Sequence, residues 1–203
     1  GYLFLTYLIA IAAGSLMGYF GGKTDMLGLR LVEIWANVPF LYMVIILVSV
    51  MPGWWGVGWQ VSSLLFIMVL FSWTGMTYYV RAAVYKEKAR DYVSAAKVIG
   101  AGPLRIIFRH LLPNVISTLV TFAPFTIAAA ISSITALDFL GYGLPPPTPS
   151  WGELLKQAVG NLKTAPWIVI STVTALVLTL TLVTFVGEAV REAFDPKKFS
   201  TYE

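Results

Sequence analysis

The sequence predicts an all-α polytopic membrane protein with a single domain over residues 1–203. Its 203 residues are 58% hydrophobic and 12% charged, whereas a soluble domain carries about 25% charged residues. The mean hydropathy is +0.77. Backbone in lipid must satisfy its own hydrogen bonds, so long apolar stretches are predicted to be helices. Stretches free of charge and near the length needed to cross a membrane are residues 2–20, 34–51, 61–80, 114–137 and 164–187.

The basic residues predict how these spans are oriented. If the spans alternate, twelve of the 14 Lys and Arg residues fall on one side, and seven of them lie between Arg81 and Pro113. The positive-inside rule places that side in the cytoplasm together with the C-terminus. The loop 138–163 is then periplasmic. Residue 1 lies outside, so we expect a further N-terminal span upstream of this sequence.

Residues 91–113, which we call the elbow, form the longest polar interruption. Tyr92, Ala95, Ala96 and Ile99 are spaced to give a short helix one apolar face. The Gly100-Ala101-Gly102 turn is expected to end that helix, because glycine tolerates the left-handed conformation of a helix end. The small residues of this first arm favour close approach of another surface.

A second helix is expected to begin at Pro103, since proline suits the first turn of a helix. Its apolar face is predicted to consist of Leu104, Ile107, Phe108 and Leu111. Pro113 is expected to break the chain before the fourth span.

The sequence argues against several chemistries. Gly22-Lys23-Thr24 resembles the end of a phosphate-binding loop, but Met17 occupies the position where that loop needs glycine. His110 is the only histidine, and neither a nucleophile motif nor a cluster of metal ligands accompanies it. We therefore expect no catalytic residue, no metal site and no bound cofactor in this chain. The basic balance is explained by membrane topology, so we expect contact with membrane lipid and none with nucleic acid.

Three features of the spans and the outer loop leave alternatives open. Gly14 and Gly18 form a GxxxG pattern, which favours close helix packing either within the chain or between subunits. Pro39 and Pro124 lie inside predicted spans and are expected to kink them. In the outer loop, a proline-rich run from Pro145 to Pro149 precedes a predicted short helix at 152–162, which serves either as a platform for a partner or as a stiff connector.

One motif resembles a known family. Ser94-Ala95-Ala96-x-x-x-Gly100, followed after nine residues by His110-x-Leu112-Pro113, resembles the EAA motif of ABC importer permeases. Ser94 stands where the general motif has glutamate, and His110 where it has isoleucine; Asp91, one turn earlier, is a candidate to replace the glutamate. The elbow is most similar to the dipeptide, oligopeptide and nickel branch, and Leu137–Gly141 looks like the microcin C-type peptide permeases.

The resemblance implies a type I ABC importer (MetI-like) transmembrane domain in the bacterial inner membrane. Such a permease subunit is not an enzyme, and it moves peptides or modified peptides by alternating access. The implied partners are a second homologous permease, two cytoplasmic ATPase subunits or one fused ATPase that bind ATP and Mg²⁺, and a periplasmic or lipid-anchored substrate-binding protein. The alternatives from the residues are an ion-coupled secondary transporter, which the charge-free spans argue against, an intramembrane enzyme and a structural membrane subunit.

The resemblance also assigns site residues. Contact with the ATPase is implied for Asp91, Tyr92, Ser94, Ala95, Ala96, Gly100, Gly102, Arg109, His110, Leu112 and Pro113. The periplasmic-loop candidates are Asp138, Gly141, Gly143, Pro145, Trp151 and Glu153.

We predict that Gly100→Arg or Ala96→Arg leaves the protein inserted in the membrane but uncouples ATP hydrolysis from transport. A long charged side chain would hold the elbow away from the surface that it contacts. Peptide uptake and ATP hydrolysis measured on the same membranes test this, and normal uptake by either variant would contradict it.

Overall fold

The protein is described by a computed structural model, which covers residues 1–52, 54, 56–144 and 147–193. Within these ranges all regular secondary structure is helical. The helices in chain order are α1 (Tyr2–Phe20), α2 (Gly22–Ala36), α3 (Phe40–Val50), α4 (Val57–Lys88), α5 (Asp91–Val98), α6 (Pro103–Ile106), a π-helical turn (Ile107–Leu111), α7 (Leu112–Phe139), α8 (Trp151–Gly160) and α9 (Pro166–Ala193).

Among the described residues, four helices are long and apolar enough to cross a membrane: α1, α4, α9 and the Leu119–Phe139 part of α7. The first has the bounds expected from the sequence. The others extend beyond the uncharged stretches, because charged residues such as Lys86 and Lys88 continue α4 for two more turns. The all-helical prediction is confirmed.

The expected second span, residues 34–51, is not one straight helix. Helix α2 ends at Ala36 and α3 begins at Phe40, and the two are bent by 68°. Pro39 lacks a backbone N–H and disfavours helical geometry at the residue before it, so the helix breaks here. If the bent pair counts as one span, the described part of the chain contains up to five candidate spans.

The chain divides into two compact units. Unit 1 comprises Gly1–Pro39 and Met68–Thr121, and unit 2 comprises Phe40–Ile67 and the chain from Phe122 onward. Helices α4 and α7 therefore contribute residues to both. The elbow belongs to unit 1, and the loop after α7 belongs to unit 2.

In unit 1, α1 packs against α4 with backbone close to backbone. A Cβ atom added to Gly14 would lie 2.7 Å from Val80 Cβ, and one added to Gly18 would lie 2.8 Å from the carbonyl oxygen of Arg81. The absence of side chains at these two positions thus permits the contact. Of the two interpretations of the GxxxG pattern, the structure supports packing within the chain.

Helix α2 is fastened to α4 at both of its ends. Near its start, both carboxylate oxygens of Asp25 accept hydrogen bonds from the guanidinium group of Arg81. Near its end, Trp35 Nε1 donates to the carbonyl of Leu70 at 2.7 Å, and the Trp35 ring stacks on Phe71 with 5.5 Å between centroids. These contacts hold α2 along α4 within unit 1.

In unit 2, α8 packs on α9, and α9 passes close to α7, where a Cβ on Gly187 would lie 3.0 Å from Pro124 Cβ. The expected short helix at 152–162 is present as α8. It begins with Ser150, whose hydroxyl accepts the backbone N–H of Glu153 at 3.1 Å. This side-chain cap satisfies one of the free N–H groups at the start of the helix.

We predict that Gly14→Ala destabilises the protein relative to Gly75→Ala by about 1–3 kcal/mol, the range typical of overpacking. Both glycines lie in helices, so both variants gain the same helix propensity. Only Gly14 lacks space, because nothing lies within 4 Å of a Cβ at Gly75. Thermal unfolding in mild detergent measures the difference, and equal midpoints for the two variants would refute the packing described here.

Candidate functional site

The first arm of the elbow, α5, ends in a glycine-dependent cap. Gly100 has φ +84°, a left-handed conformation that glycine adopts without strain. Its N–H donates to the carbonyl of Lys97 at 3.0 Å, and the N–H of Ala101 donates to that of Ala96 at 3.0 Å. This pair of bonds is the Schellman motif, which satisfies the carbonyls at the end of a helix. The expected stop at Gly100-Ala101-Gly102 is where α5 ends.

The two arms of the elbow lie close together, and each has buried apolar residues. On α5 the buried residues are Val93 and Ala96, and on the second arm they are Ile106, Ile107 and Leu111. Because α5 has only eight residues, it is too short to be stable alone and depends on this burial.

A second set of apolar side chains remains exposed on the elbow, and we call these four residues the elbow patch. Val98 is 87% exposed, Ile99 84%, Leu104 64% and Phe108 66%. They come from both arms, on either side of the Gly100 turn. Lys97, Arg105 and Arg109 are exposed beside them in the sequence. The elbow therefore carries an unburied apolar surface interspersed with positive charge.

The sequence predicted an apolar face on each arm, with the small residues of the first arm open to another surface. On α5, Ala95 and Ile99 are exposed, whereas Ala96 and Val93 are buried, so the expectation of an open surface is wrong for Ala96. On the second arm, Ile107 and Leu111 are buried, whereas Leu104 and Phe108 are exposed. Because Ala96 is buried, an arginine there would disturb the elbow itself, and Ala95 is the cleaner position for testing a surface contact.

The expected break at Pro113 is also wrong. The backbone stays helical from Pro103 to Phe139, with a π-helical turn at Ile107–Leu111 directly before Leu112 and Pro113. The N–H of Leu112 donates to the carbonyl of Ile107, five residues earlier. A π turn of this kind accommodates the missing backbone N–H of Pro113. The second arm therefore continues directly into α7.

Tyr92 connects three parts of unit 1. Its hydroxyl donates to Glu87 Oε2, at the end of α4, at 2.8 Å. Asn114 Nδ2, at the start of α7, donates to the Tyr92 oxygen at 3.2 Å and to the carbonyl of His110, in the π turn, at 2.8 Å. Burial, together with the hydrogen bond to Glu87, raises the pKa of Tyr92, so its phenol keeps its proton and remains a donor.

The other elbow candidates divide by exposure. Leu112 is buried and His110 is half-buried. The exposed candidates are Asp91, Ser94, Ala95, Gly102, Arg109 and Pro113. Neither Glu87 nor Asn114 was predicted from the sequence. A signal for Glu87 was present, since Glu87 and Arg90 have the i, i+3 spacing of a helical ion pair. In the structure Arg90 Nε lies 2.9 Å from Glu87 Oε1.

The loop after α7 is built around Asp138, which is only 5% exposed. Its Oδ1 accepts a hydrogen bond from the backbone N–H of Leu144. Between these two residues the chain turns at Gly141, which has φ +84°. A Cβ on Gly143 or on Gly152 would collide with Asp138. The loop therefore folds back tightly over the end of α7 and brings Asp138, Gly143 and the start of α8 together.

Two further outer-loop candidates, Trp151 and Glu153, occupy the first turn of α8, and Pro145 lies outside the described residues. Among the residues that the structure does describe, His, Asp and Glu side chains form no group of three that could hold a metal ion. The elbow and the outer loop are thus sites of backbone turns, buried hydrogen bonds and exposed apolar surface.

In the described residues these features are those of an integral membrane protein of several helices, in which an ordered polar elbow joins two of the long helices. The chain belongs to the family of binding-protein-dependent transport system inner membrane components, which matches residues 10–200. It is accordingly a multi-pass inner-membrane component, and members of this family are transport subunits, not enzymes.

Named relatives come from the peptide branch of these permeases. The chain is 44% identical over 191 residues to the peptidoglycan transport system permease protein YejE of Agrobacterium fabrum, covering 94% of this chain and 48% of that protein. It is 44% identical over 192 residues to the inner membrane ABC transporter permease protein YejE of Escherichia coli, covering 94% and 54%. It thus spans about half the length of these relatives.

A third relative is the oligopeptide transport system permease protein OppC of Haemophilus influenzae, at 35% identity over 195 residues, covering 96% of this chain and 60% of that protein. Among solved structures, a chain of the inward-facing MetNI methionine ABC transporter matches with a TM-score of 0.75 and 18% identity, covering 96% of this chain and 89% of that one. The expected type I importer fold and the resemblance to peptide permeases are confirmed.

We predict that Gly100→Ala loosens the elbow, whereas Gly102→Ala does not. A Cβ meets nothing within 4 Å at either position, so the two changes differ only in backbone conformation. Gly102 has φ −71°, which alanine adopts freely, whereas the left-handed conformation of Gly100 opposes alanine by about 1–2 kcal/mol. Hydrogen exchange of the amides of residues 93–101 measures this, and equal protection in the two variants would contradict it.

Proposed function

We propose that the protein containing this chain is a permease subunit of an ATP-driven, binding-protein-dependent importer for peptides or modified peptides. The elbow patch is the observation that supports this most. Four large apolar side chains lie exposed on a segment that is too polar to enter lipid, and exposed apolar patches on ordered surfaces commonly mark sites of protein contact. The proposed occupant is a cytoplasmic ATPase subunit.

The chemistry of the elbow fits such an occupant. An apolar groove would accept Val98, Ile99, Leu104 and Phe108, and acidic residues at its rim would pair with Arg105 and Arg109 of the second arm. Ala95 allows close approach because it is small. Asp91 and Ser94, exposed on the same arm, would make the polar contacts that glutamate makes in the general motif.

The proposal assigns the energy source to the partner. This chain has Met17 where a phosphate-binding loop requires glycine, so ATP and Mg²⁺ would be held by two ATPase subunits or one fused ATPase. Movement of the ATPase would push on the elbow, and the continuous helix from the second arm into α7 would carry that push to the spans. A ligand drives such a cycle only if its affinity differs between the two end states.

The remaining proposed features follow from family and topology. The elbow and the C-terminus would lie in the cytoplasm, and a second, homologous permease would complete the pathway. A periplasmic or lipid-anchored binding protein would deliver the substrate to the outer side, where the loop containing Asp138, Gly141, Gly143, Pro145, Trp151 and Glu153 would form part of its landing surface. Peptides are the proposed substrates because the named relatives include an oligopeptide permease.

We predict that Val98→Asp with Ile99→Asp prevents stable binding of the ATPase. The full-length protein, purified in mild detergent, should retain its ATPase subunits. The double variant should bind them at least about a hundredfold more weakly, since burying unpaired carboxylates is opposed by several kcal/mol. Val159→Asp is the matched control: Val159 is 53% exposed but lies in α8.

Three outcomes would decide the matter. Retention of the ATPase by the elbow variant would exclude the patch as its contact. Equal loss in the Val159→Asp control would mean that the added charge acts on folding. Stimulation of ATP hydrolysis by a mixture of short peptides with the binding protein present would support the substrate class, whereas stimulation by none of them would exclude it.

A further inference from the structure

We infer that Tyr92 is a positioning residue that fixes the first arm of the elbow to the end of α4 and the start of α7, so that these three segments of unit 1 move as one body. The inference rests on the proposed function, because a rigid elbow matters only if a partner pushes on it. Nothing in the EAA pattern itself specifies this link: one of its partners precedes the motif and the other follows it.

The link has a defined geometry. Tyr92 belongs to α5, and its hydroxyl oxygen lies 2.8 Å from Glu87 Oε2 on α4 and 3.2 Å from Asn114 Nδ2 on α7. A phenol can donate one hydrogen bond through its O–H, and its oxygen can also accept one. It therefore donates to Glu87 and accepts from Asn114, which uses the capacity of the group on both sides.

The Glu87 end of the link is the stronger one. The Glu87 side chain is 15% exposed and its other oxygen, Oε1, pairs with Arg90 at 2.9 Å. Hydrogen bonds to a charged acceptor are stronger than those between neutral groups. Because Arg90 lies just before α5, both oxygens of one carboxylate hold the start of the first arm against the end of α4.

The Asn114 end reaches the π turn. The Asn114 amide donates to the His110 carbonyl at 2.8 Å as well as to Tyr92, and the same carbonyl lies 3.4 Å from the Tyr92 oxygen. The start of α7 is thus bonded to the irregular turn and to the first arm together. A displacement of α5 would have to break these bonds or carry α7 along.

The packing of α5 explains why a directional link is needed. Its buried residues, Val93 and Ala96, make apolar contacts, which resist separation but have no preferred direction. The elbow patch lies on the exposed side of the arms, so a partner pressing there would roll a helix of eight residues about its axis. A hydrogen bond at fixed geometry opposes that rotation.

Tyr92→Phe is the informative variant, because it removes the link and keeps the ring in place, and Glu87 retains Arg90. Tyr42→Phe is the matched control, since Tyr42 is 66% exposed on α3. This sequence contains no cysteine, so spin labels at Lys97→Cys on α5 and Ile116→Cys on α7 report the distance between the two helices. The full-length protein is used in its complex with the ATPases, with any cysteine outside this chain replaced.

We expect a single narrow distance in the unaltered and Tyr42→Phe complexes and a broader distribution in Tyr92→Phe. Asn114→Ala should broaden it similarly, and the double variant should add little, because both changes break one link. The ATPases should stay bound, and stimulation of hydrolysis by the binding protein should fall about three- to tenfold, the effect of one lost hydrogen bond on an equilibrium.

An unchanged distance distribution in Tyr92→Phe would overturn the inference, and so would a broadened one with unaltered stimulation. Loss of the ATPases from Tyr92→Phe alone would also overturn it, because Tyr92 would then serve to form the docking surface. Absence of any ATPase from the unaltered complex would instead overturn the proposed function. The two failures are therefore distinguishable in the same preparation.

Discussion

Proline cannot donate a backbone hydrogen bond, and the second arm of the elbow depends on how that missing donor is accommodated at Pro113. Here the chain widens into a π turn at Ile107–Leu111 and stays helical. At Pro39 the same constraint gives a break and a bend of 68°. The difference is decisive for the elbow: a break at Pro113 would separate it from α7, whereas the π turn joins the two.

The elbow is also defined by how its first arm begins and ends. At the start, Glu87 forms an ion pair with Arg90 and accepts a hydrogen bond from the Tyr92 hydroxyl. At the end, the helix terminates in the hydrogen-bonded Gly100 cap. A helix of eight residues gains little from its own hydrogen bonds. Its geometry therefore comes from these two ends and from the buried Val93 and Ala96, which leaves the opposite side free to meet another molecule.

Much of the helical framework could be predicted from the sequence, because charge-free stretches of sufficient length must be helices in lipid; α1 has its expected bounds. The buried face of α5 could not. Positions 92, 95, 96 and 99 form the apolar or small stripe, but the buried residues of α5 are Val93 and Ala96. Periodicity shows that residues share a face and does not show whether that face packs on this chain or stays exposed. The Tyr92 contacts were missed because they join residues five and 22 positions apart, which no local pattern records.

The π turn sets the angular phase between the elbow and α7. Successive residues of an α-helix are rotated by about 100° around its axis, so a π turn, which holds one extra residue, offsets the two segments by roughly that angle. Removing a single residue between Ile107 and Leu111 would rotate Leu104 to another side relative to α7, and it would also remove the π turn that keeps the chain helical through Pro113. The number of residues in this stretch is therefore constrained, in addition to the burial of Ile107 and Leu111.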